Sequence, residues 1–251
     1  MELILTLDVG TTSVKACLFD RQLRQTALTS REYALQTRGV CAEVEAQVYL
    51  EAAAQCILSL PAEARARVCA VALTTQGETL LCMDRQGKAL RPAIVWLDSR
   101  AEAQAARLAA ALDRQRFYER TGLPELSGAL PLAKLLWLRE QEPESWARTD
   151  KFLLLEDYLM LWLTGRAVTE KSLLTSTGYF DLQSDDYWDE ALALAELDRT
   201  RLPQALACGS IVGPVLPEVA EALGLPASAC VVTGAMDQTA AALAAGCTRP
   251  G

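Results

Sequence analysis

Two runs rich in apolar, β-forming residues open the chain, and a short polar Gly-Thr-Thr segment separates them. This pattern predicts a β-hairpin over residues 3–20 with its turn at Gly10, Thr11 and Thr12. A third strand over about residues 25–34 would complete an antiparallel meander. We therefore expect the start of the chain to form the first part of a sheet.

The pattern then changes between helix and strand. Residues 45–60 repeat their apolar side chains at a spacing of about 3.6 residues, which predicts a helix ended by Pro61. Residues 68–73 form a continuous apolar run of strand length, which is typical of a strand buried on both faces. Residues 80–84 and 89–96 predict a second hairpin. A meander followed by a helix and a buried strand indicates an α/β layer fold.

The pattern in the middle of the chain, over about residues 116–202, predicts short helices connected by polar segments. Helices are predicted over residues 131–140, 155–164 and 187–197, and Gly165 would close the second of them. We expect this segment to be a helical insertion that packs on the sheet.

Two Ala-rich segments outside the insertion also predict helices. The first would follow an N-cap at Asp98 or Ser99. The second would follow a short buried strand over residues 230–234 and run to about Gly246. Asp237 would lie in its first turn, where the helix dipole favours an ionised carboxylate.

Composition narrows the class of protein. A chain of 251 residues with 51% apolar and 22% charged residues is typical of a compact globular protein. The net charge of −8 argues against a nucleic-acid partner, because such binding needs a dense Lys/Arg surface. No apolar run reaches the ~18 residues of a membrane span, and the chain begins with a strand pattern instead of a leader. We therefore expect no membrane partner and a cytoplasmic location.

The chain has eight scattered cysteines and no histidine, which limits its chemistry. Without histidine or a C-x-x-C pair a zinc site is not expected, and most thiols are expected to be reduced core residues. Ser-His and Cys-His nucleophile pairs are excluded. Any acid or base must therefore be a carboxylate, Lys, Tyr or Cys.

Three polar segments carry candidate chemistry. At the first turn, N–H groups and hydroxyls converge beside Asp8, which suits phosphate and Mg²⁺, although an ordinary hairpin explains these residues equally well. Residues 74–79 follow the buried strand at the edge where α/β sheets bind ligands. Asp237 can accept a proton from a substrate hydroxyl, or it simply caps its helix. Taken alone, Glu78 and Trp96 would be an ordinary loop acid and a core residue.

Together these segments resemble the FGGY family of carbohydrate kinases, in the same order and along essentially the whole chain. The segments that carry the resemblance are DVGTTSVK (8–15), AIVWLDSR (93–100), KLLWL (134–138), DYL (157–159), LTG (163–165), TGYFD (177–181) and GAMDQTAAAL (234–243). One such motif would be weak evidence, whereas several in register along the chain are specific.

The resemblance implies an actin-like ATPase domain of the ribonuclease-H-like type, with a mixed five-stranded sheet, flanking helices and the helical insertion. It also implies ATP-dependent phosphorylation of a sugar or polyol hydroxyl, with Asp237 as the catalytic base and Asp8 holding Mg²⁺ directly or through water. The residues implied at the ATP phosphates are Asp8, Gly10, Thr11, Thr12, Ser13 and Lys15, and those implied at the sugar are Gln76, Gly77, Glu78, Trp96, Asp98 and Asp237.

The identity of the sugar stays open at this point. Family members that phosphorylate glycerol carry an arginine where Gly77 stands, and those that phosphorylate xylulose often differ at residues 76–79 and at Leu97. A ketopentose or a related polyol is the expected class. A homodimer is compatible with the resemblance, but no sequence feature locates its surface.

Length separates this chain from the family pattern. Family members are about twice as long and have a second domain that binds the nucleotide. We therefore expect residues 1–251 to be the N-terminal sugar-binding domain, without the C-terminal nucleotide-binding domain, and to have little or no kinase activity alone. Two other interpretations stay open: a non-catalytic sugar-binding or regulatory module with an actin-like fold, and an actin-like ATPase that activates a protein or forms a filament.

Overall fold

Two larger β-sheets covered by helices make up the structure, a computed structural model that describes residues 2–249. The strands, in chain order, are β1 (Leu3–Val9), β2 (Ser13–Phe19), β3 (Gln25–Glu32), β4 (Gln36–Arg38), β5 (Cys41–Val44), β6 (Val68–Thr75), β7 (Leu80–Met83), β8 (Ala93–Ile94), β9 (Lys151–Leu154), β10 (Val168–Glu170), β11 (Phe180–Asp181), β12 (Asp186–Tyr187), β13 (Gln204–Leu206), β14 (Ile211–Pro214) and β15 (Cys230–Met236). The α-helices are α1 (Ala46–Leu58), α2 (Ala62–Arg65), α3 (Glu102–Ala111), α4 (Arg114–Thr121), α5 (Pro131–Gln141), α6 (Pro143–Arg148), α7 (Leu155–Thr164), α8 (Lys171–Leu174), α9 (Asp189–Leu194), α10 (Pro217–Leu223) and α11 (Asp237–Ala244). One turn of 3-10 helix spans Arg199–Arg201.

The larger sheet contains the predicted meander and the predicted buried strands. Within residues 2–249 its strand order is β14-β15-β6-β1-β2-β3. β1 pairs antiparallel with β2 and parallel with β6, and β15 lies parallel to β6 on its other side. The α/β fold class with a mixed sheet is confirmed. Because β1, β6 and β15 are parallel, their carboxyl ends meet at one edge of the sheet, where ligand-binding loops are expected.

Two details of this sheet differ from the prediction. The sheet has six described strands instead of five, because β14 adds an antiparallel edge beside β15. β14 contains the pair Gly213-Pro214, which is typical of loops, but a proline is tolerated in an edge strand, where one side makes no ladder hydrogen bonds. In β6, the buried Val71 and Leu73 alternate with the half-buried Ala72, so only one face of the strand is fully covered.

A second sheet has the order β4-β5-β8-β7-β9. The predicted hairpin of residues 80–84 and 89–96 is present in part: Met83 forms a bridge with Ala89, but β8 contains only Ala93–Ile94. β8 pairs with β5 on one side and with β7 on the other, where its last residue, Ile94, lies opposite Leu80, the first residue of β7. Trp96 lies beyond this end, in the turn that follows.

Buried apolar side chains form two clusters. The first lies between the larger sheet and α1, α7 and α10, and the second joins β7 and β9 to α3, α4, α5 and α9. α1 confirms the helix predicted over residues 45–60 and buries Tyr49, Cys56 and Ile57. No helix within residues 2–249 is long and apolar enough to cross a membrane.

The segment over residues 116–202 is mainly helical, as predicted, although it also contains β9 to β12. α5 and α7 confirm two of its predicted helices, and Gly165 ends α7 in a left-handed conformation with φ of 71°. The helix predicted over residues 187–197 is shorter, because Tyr187 pairs with Phe180 in a small hairpin before α9 begins.

Candidate active site

A small cavity lies at the carboxyl edge of the larger sheet and encloses about 110 Å³. The residues that line it lie at or just after the ends of four strands that are distant in sequence, β1, β6, β8 and β15. They are Thr11, Gln76, Gly77, Glu78, Trp96, Met236, Asp237 and Gln238. The parallel order of β1, β6 and β15 brings these loops together. Most of the residues implied at the sugar therefore share one cavity with a residue of the first turn.

The turn between β1 and β2 is held by several hydrogen bonds. The Gly10 N–H donates to the Ser13 carbonyl (3.0 Å), and the Tyr33 N–H donates to the Thr12 carbonyl (2.9 Å). The Tyr33 hydroxyl donates to the Gly10 carbonyl. Gly10 does not have a positive φ, and a Cβ there would only touch the Ser13 carbonyl oxygen at 3.7 Å. The fold itself does not require glycine at this position, which differs from the ordinary-hairpin interpretation.

Asp8 and Lys15 lie opposite each other on β1 and β2, next to this turn. The Lys15 Nζ lies 3.3 Å from Asp8 Oδ2, and both side chains are about half exposed. In residues 2–249 no group of three Asp, Glu, Cys or His side chains is arranged to hold a metal ion. Such a cage is not needed for Mg²⁺, which keeps several waters and takes one or two carboxylates together with phosphate oxygens. Asp8 has the accessible carboxylate that this mode of binding requires.

Trp96 connects the first turn with the loop after β8. Its Nε1 donates a hydrogen bond to Thr11 Oγ1 over 2.9 Å. The side chain is 39% exposed, so it is not the core residue that its sequence context alone suggested. Its ring forms one wall of the cavity.

The loop after β6 brings three consecutive residues to the cavity. Gln76 is buried, and its Nε2 donates to the Tyr49 hydroxyl over 3.4 Å, whereas its Oε1 has no partner within residues 2–249. Gly77 is closely surrounded, since a Cβ there would lie 3.0 Å from Met236 Sδ and 3.2 Å from Ser176 Oγ. Glu78 follows in the left-handed region with φ of 50°.

A buried lysine holds the Glu78 loop in place. Lys134, in α5, is 0% exposed, and its Nζ donates to the carbonyl oxygens of Val95 (2.9 Å) and Glu78 (3.2 Å). Burial lowers the pKa of Lys134 to about 7, although Asp98 and Glu78 oppose this shift. Burial raises the pKa of Glu78, and the nearby Asp237 adds to this effect, while Ser176 and Lys134 oppose it.

Asp98 does not line the cavity, although the resemblance implied a place at or near the sugar. The residue is 0% exposed, and Arg100 Nη2 lies 2.6 Å from its Oδ2. The same oxygen accepts a hydrogen bond from the Ala42 N–H (2.6 Å). Asp98 is not a helix cap either, because α3 begins at Glu102 and its N-cap is Ala101. Its carboxylate joins the turn after β8 to β5.

Asp237 lies in the first turn of α11, as predicted, and is half-buried at the cavity wall. Its Oδ1 accepts the Gln238 N–H over 2.7 Å. The preceding residue, Met236, is the N-cap and also lines the cavity. Asp237 and Glu78 line the same cavity, and the charge of Asp237 adds to the upward shift in the pKa of Glu78.

Sequence reasoning missed a group of buried carboxyl residues behind β15. Glu156 and Asp157, in α7, and Glu170, in β10, are at most 2% exposed. Burial raises the pKa of Glu156 well above its usual value and raises that of Asp157 to about 8. Two adjacent acids inside the otherwise apolar pattern of α7 were the signal that could have revealed them.

A larger groove of about 980 Å³ lies elsewhere, between α1, the turn at residues 85–88 and α7. One of its lining residues is the buried Arg91. The Arg91 Nη2 contacts Glu43 at 2.5 Å, and its Nε contacts Glu142 at 2.9 Å. The charge of Arg91 is thus already balanced, and the groove contains none of the residues implied in phosphate or sugar binding. The smaller cavity is therefore the better candidate for the active site.

Comparisons with known proteins identify the family of the chain. The xylulose kinase of Lactococcus lactis subsp. lactis (strain IL1403) is 32% identical over 250 residues, which cover 98% of this chain and 50% of that protein. The gluconokinase of Bacillus subtilis (strain 168) is 27% identical over 236 residues, 93% of this chain and 46% of that protein. The chain thus spans about half the length of the curated relatives it matches.

Solved structures and the family description point the same way. The crystal structure of xylulose kinase from Rhodospirillum rubrum superimposes with a TM-score of 0.94 at 31% identity, over 100% of this chain and 53% of that chain. Residues 3–244 match the N-terminal domain of the FGGY family of carbohydrate kinases. A match over nearly the whole chain, with this agreement in fold, shows that the chain belongs to the FGGY family of carbohydrate kinases.

Proposed function

We propose that this chain is the sugar-binding part of an ATP-dependent carbohydrate kinase and that it carries the catalytic base, Asp237. The observation that supports this most directly is the single cavity shared by Thr11, Glu78, Trp96 and Asp237. A sugar hydroxyl in this cavity would lie between the proposed phosphate hairpin and a carboxylate. Phosphoryl transfer needs mainly this kind of positioning and charge neutralisation.

Asp237 is suited to take the proton of the attacking hydroxyl. A carboxylate is sufficient for this step, so the absence of histidine from the chain is no obstacle. The hydroxyl oxygen then forms a bond to the γ-phosphorus of ATP, ADP leaves with the bonding electron pair, and the proton remains on Asp237. The half-buried position of Asp237 at the cavity wall allows it to contact a bound sugar.

The hairpin turn would bind the phosphates. Gly10 leaves open space above a turn whose backbone tolerates a side chain, so a close approach of phosphate oxygens is a reason for glycine there. Thr11, Thr12 and Ser13 add hydroxyl donors, and Lys15 adds a positive charge. Asp8 would hold Mg²⁺, which neutralises phosphate charge when it is bound.

The sugar would contact Gln76, Glu78 and Trp96. The buried Gln76 Oε1, which has no partner within residues 2–249, can accept a hydrogen bond from a ligand hydroxyl, which would relieve an unfavourable buried acceptor. The Trp96 ring offers an apolar face, and Glu78 offers a carboxylate. These groups suit a ketopentose or a related polyol, but relatives of similar identity act on different substrates by name, namely xylulose and gluconate.

We infer that residues 1–251 form an N-terminal sugar-binding domain and that adenosine contacts come from a second domain such as the relatives' additional length provides. The isolated chain is then expected to bind sugar weakly and to turn over ATP slowly or not at all. Fast sugar-dependent ATP turnover by the 251-residue chain would contradict this inference.

A ligand screen tests the proposed function. The chain is titrated with pentuloses, pentitols, hexuloses, aldonates and glycerol, and thermal unfolding is followed. A ligand at about 100 times its Kd adds about 2.7 kcal/mol to the free energy of unfolding, which raises Tm measurably.

The screen is repeated with Asp237→Ala, and Asp189→Ala serves as the control because Asp189 also occupies the first turn of a short helix. The sugar-induced shift should shrink in the first variant and persist in the second. A sugar shift that is equal in both variants would rule out the assigned site, and no shift with any sugar would contradict sugar binding by this chain.

A further inference from the structure

The strand that leads to Asp237 is irregular just before it reaches the cavity. The pairing of β15 with β6 shifts register between Val232 and Ala235. At Gly234, between them, a Cβ would lie 1.4 Å from the Leu73 carbonyl oxygen, so no other residue fits without moving the backbone. Bulges of this kind often lie beside active sites, where they change the direction of a side chain.

Side chains from other elements bind the backbone of this irregular segment. The Gly234 N–H donates to Glu156 Oε1 (3.1 Å), and the Ala235 carbonyl accepts from Thr74 Oγ1 (2.7 Å). The Met236 N–H donates to Ser172 Oγ (3.0 Å). Three consecutive residues are thus held by side chains of α7, β6 and α8.

Ser172 is itself oriented by Glu170. Its N–H donates to Glu170 Oε2 over 2.9 Å, and its hydroxyl donates to the same oxygen. Because the hydroxyl proton points to Glu170, a lone pair of Ser172 Oγ is left to accept the Met236 N–H. Met236 is the N-cap of α11, so this contact sets where the helix begins and where its first residue, Asp237, points.

We propose that Ser172, oriented by Glu170 and assisted by Glu156, is a positioning residue that directs the Asp237 carboxylate into the cavity. This inference rests on the proposed function, in which Asp237 is the base. The hydrogen bond from Met236 to Ser172 also affects the loop after β6. The Met236 side chain packs against Gly77 in that loop, where a Cβ would lie 3.0 Å from the Met236 Sδ. Ser172 thereby fixes two walls of the cavity relative to each other.

The test compares Ser172→Ala and Ser172→Thr in the 251-residue chain. Thr121→Ala is the matched control, because the buried Thr121 hydroxyl also donates to one acceptor, the Phe117 carbonyl, and accepts a backbone N–H, that of Leu123. We expect Ser172→Ala to speed amide hydrogen exchange at Met236, because the Met236 N–H loses its acceptor. The same variant should weaken sugar binding about tenfold, because the charge-assisted hydrogen bond between the Asp237 carboxylate and the sugar loses its geometry. Ser172→Thr keeps the hydroxyl and should restore both, and Thr121→Ala should change neither.

A second readout needs no sugar and separates this inference from the proposed function. The Glu78 carboxyl is titrated by NMR in the unliganded chain. If Asp237 turns away in Ser172→Ala, the pKa of Glu78 should fall, because Asp237 contributes to its elevation. An unchanged Glu78 titration, or unchanged exchange at Met236, would overturn the positioning role. If no sugar binds even the parent chain, the proposed function fails, and the Glu78 titration alone then decides whether Ser172 positions Asp237.

Discussion

Lys134 shows how one residue organises the site without lining it. Its ammonium group is buried and donates to the carbonyls of Glu78, which lines the cavity, and of Val95, which precedes the cavity residue Trp96. A buried lysine is costly when charged, which is why its pKa falls to about 7. The same site therefore has a charge that changes near neutral pH.

Lys134→Met should change how stability depends on pH. The folded pKa of Lys134 is about 7, below the usual 10.5, so between these values the unfolded chain binds a proton that the folded chain does not. The free energy of unfolding of the parent chain should therefore rise with pH in this window, by at most about 1.4 kcal/mol per pH unit from this group. The variant lacks this contribution. Urea unfolding at several pH values above 7 measures the difference, and parallel profiles of the two proteins would contradict a titrating Lys134.

At the scale of elements, α7 supports the active-site strand from behind. Glu156 contacts β15 through the Gly234 N–H, and Asp157 Oδ2 accepts the Leu154 N–H over 2.7 Å at the start of α7. Glu156 Oε2 and Asp157 Oδ1 have no partner within residues 2–249. Burial raises the pKa of both carboxyl groups and so favours their protonated forms. They therefore accept these hydrogen bonds while carrying less negative charge than exposed acids do.

Asp157→Asn should flatten the pH dependence of stability on the acidic side of neutrality. The pKa of Asp157 is about 8 in the folded chain and 3.8 as its usual value, so between them the folded chain keeps a proton that the unfolded chain releases. The free energy of unfolding should therefore fall as pH rises from about 4 to 8, and less so in the variant. Asparagine still accepts the Leu154 N–H. Urea unfolding at pH 5 to 8 tests this, and an equal fall in both proteins would mean that Asp157 is ionised throughout.

At the scale of the whole molecule, the cavity joins parts of the chain that are far apart in sequence. The hydrogen bond between Trp96 and Thr11 links residues 85 positions apart and connects the loop after β8 to the first hairpin. The bond lies between the region proposed for the sugar and the region proposed for the phosphates. Its strength should therefore influence how well both ligands are aligned.

A double-mutant cycle with Trp96→Phe and Thr11→Val measures this link. Each variant removes one partner, keeps the approximate shape, and should weaken sugar binding several-fold in calorimetry. The double variant should be little worse than either single one, with a coupling of about 1 kcal/mol. Losses that simply add up would show that Trp96 and Thr11 act independently. Exposed Tyr118→Phe is a control for aromatic substitution away from the cavity.

The elements with strong local patterns were predictable. The first hairpin, α1, α5 and α7 follow from periodic apolar residues, and Gly165 indicated the end of α7 because glycine readily adopts positive φ. β14 was not predictable, because its Gly213-Pro214 pair indicates a loop and only the neighbouring β15 makes it a strand. The burial of Asp98 was missed for a similar reason, since its partner Ala42 is 56 positions away in the sequence and lies beside it only in the folded chain.

The sequence by itself determined the α/β class, the family, and the residue types available for catalysis, because local periodicity and motif order are properties of neighbouring residues. Only the tertiary structure decided that Thr11, Glu78, Trp96 and Asp237 share a cavity while Asp98 is buried outside it. It also decided that Ser172 and Glu156 bind the backbone before Asp237. Burial, hydrogen bonding and the resulting pKa shifts depend on residues distant in sequence, which no local pattern contains.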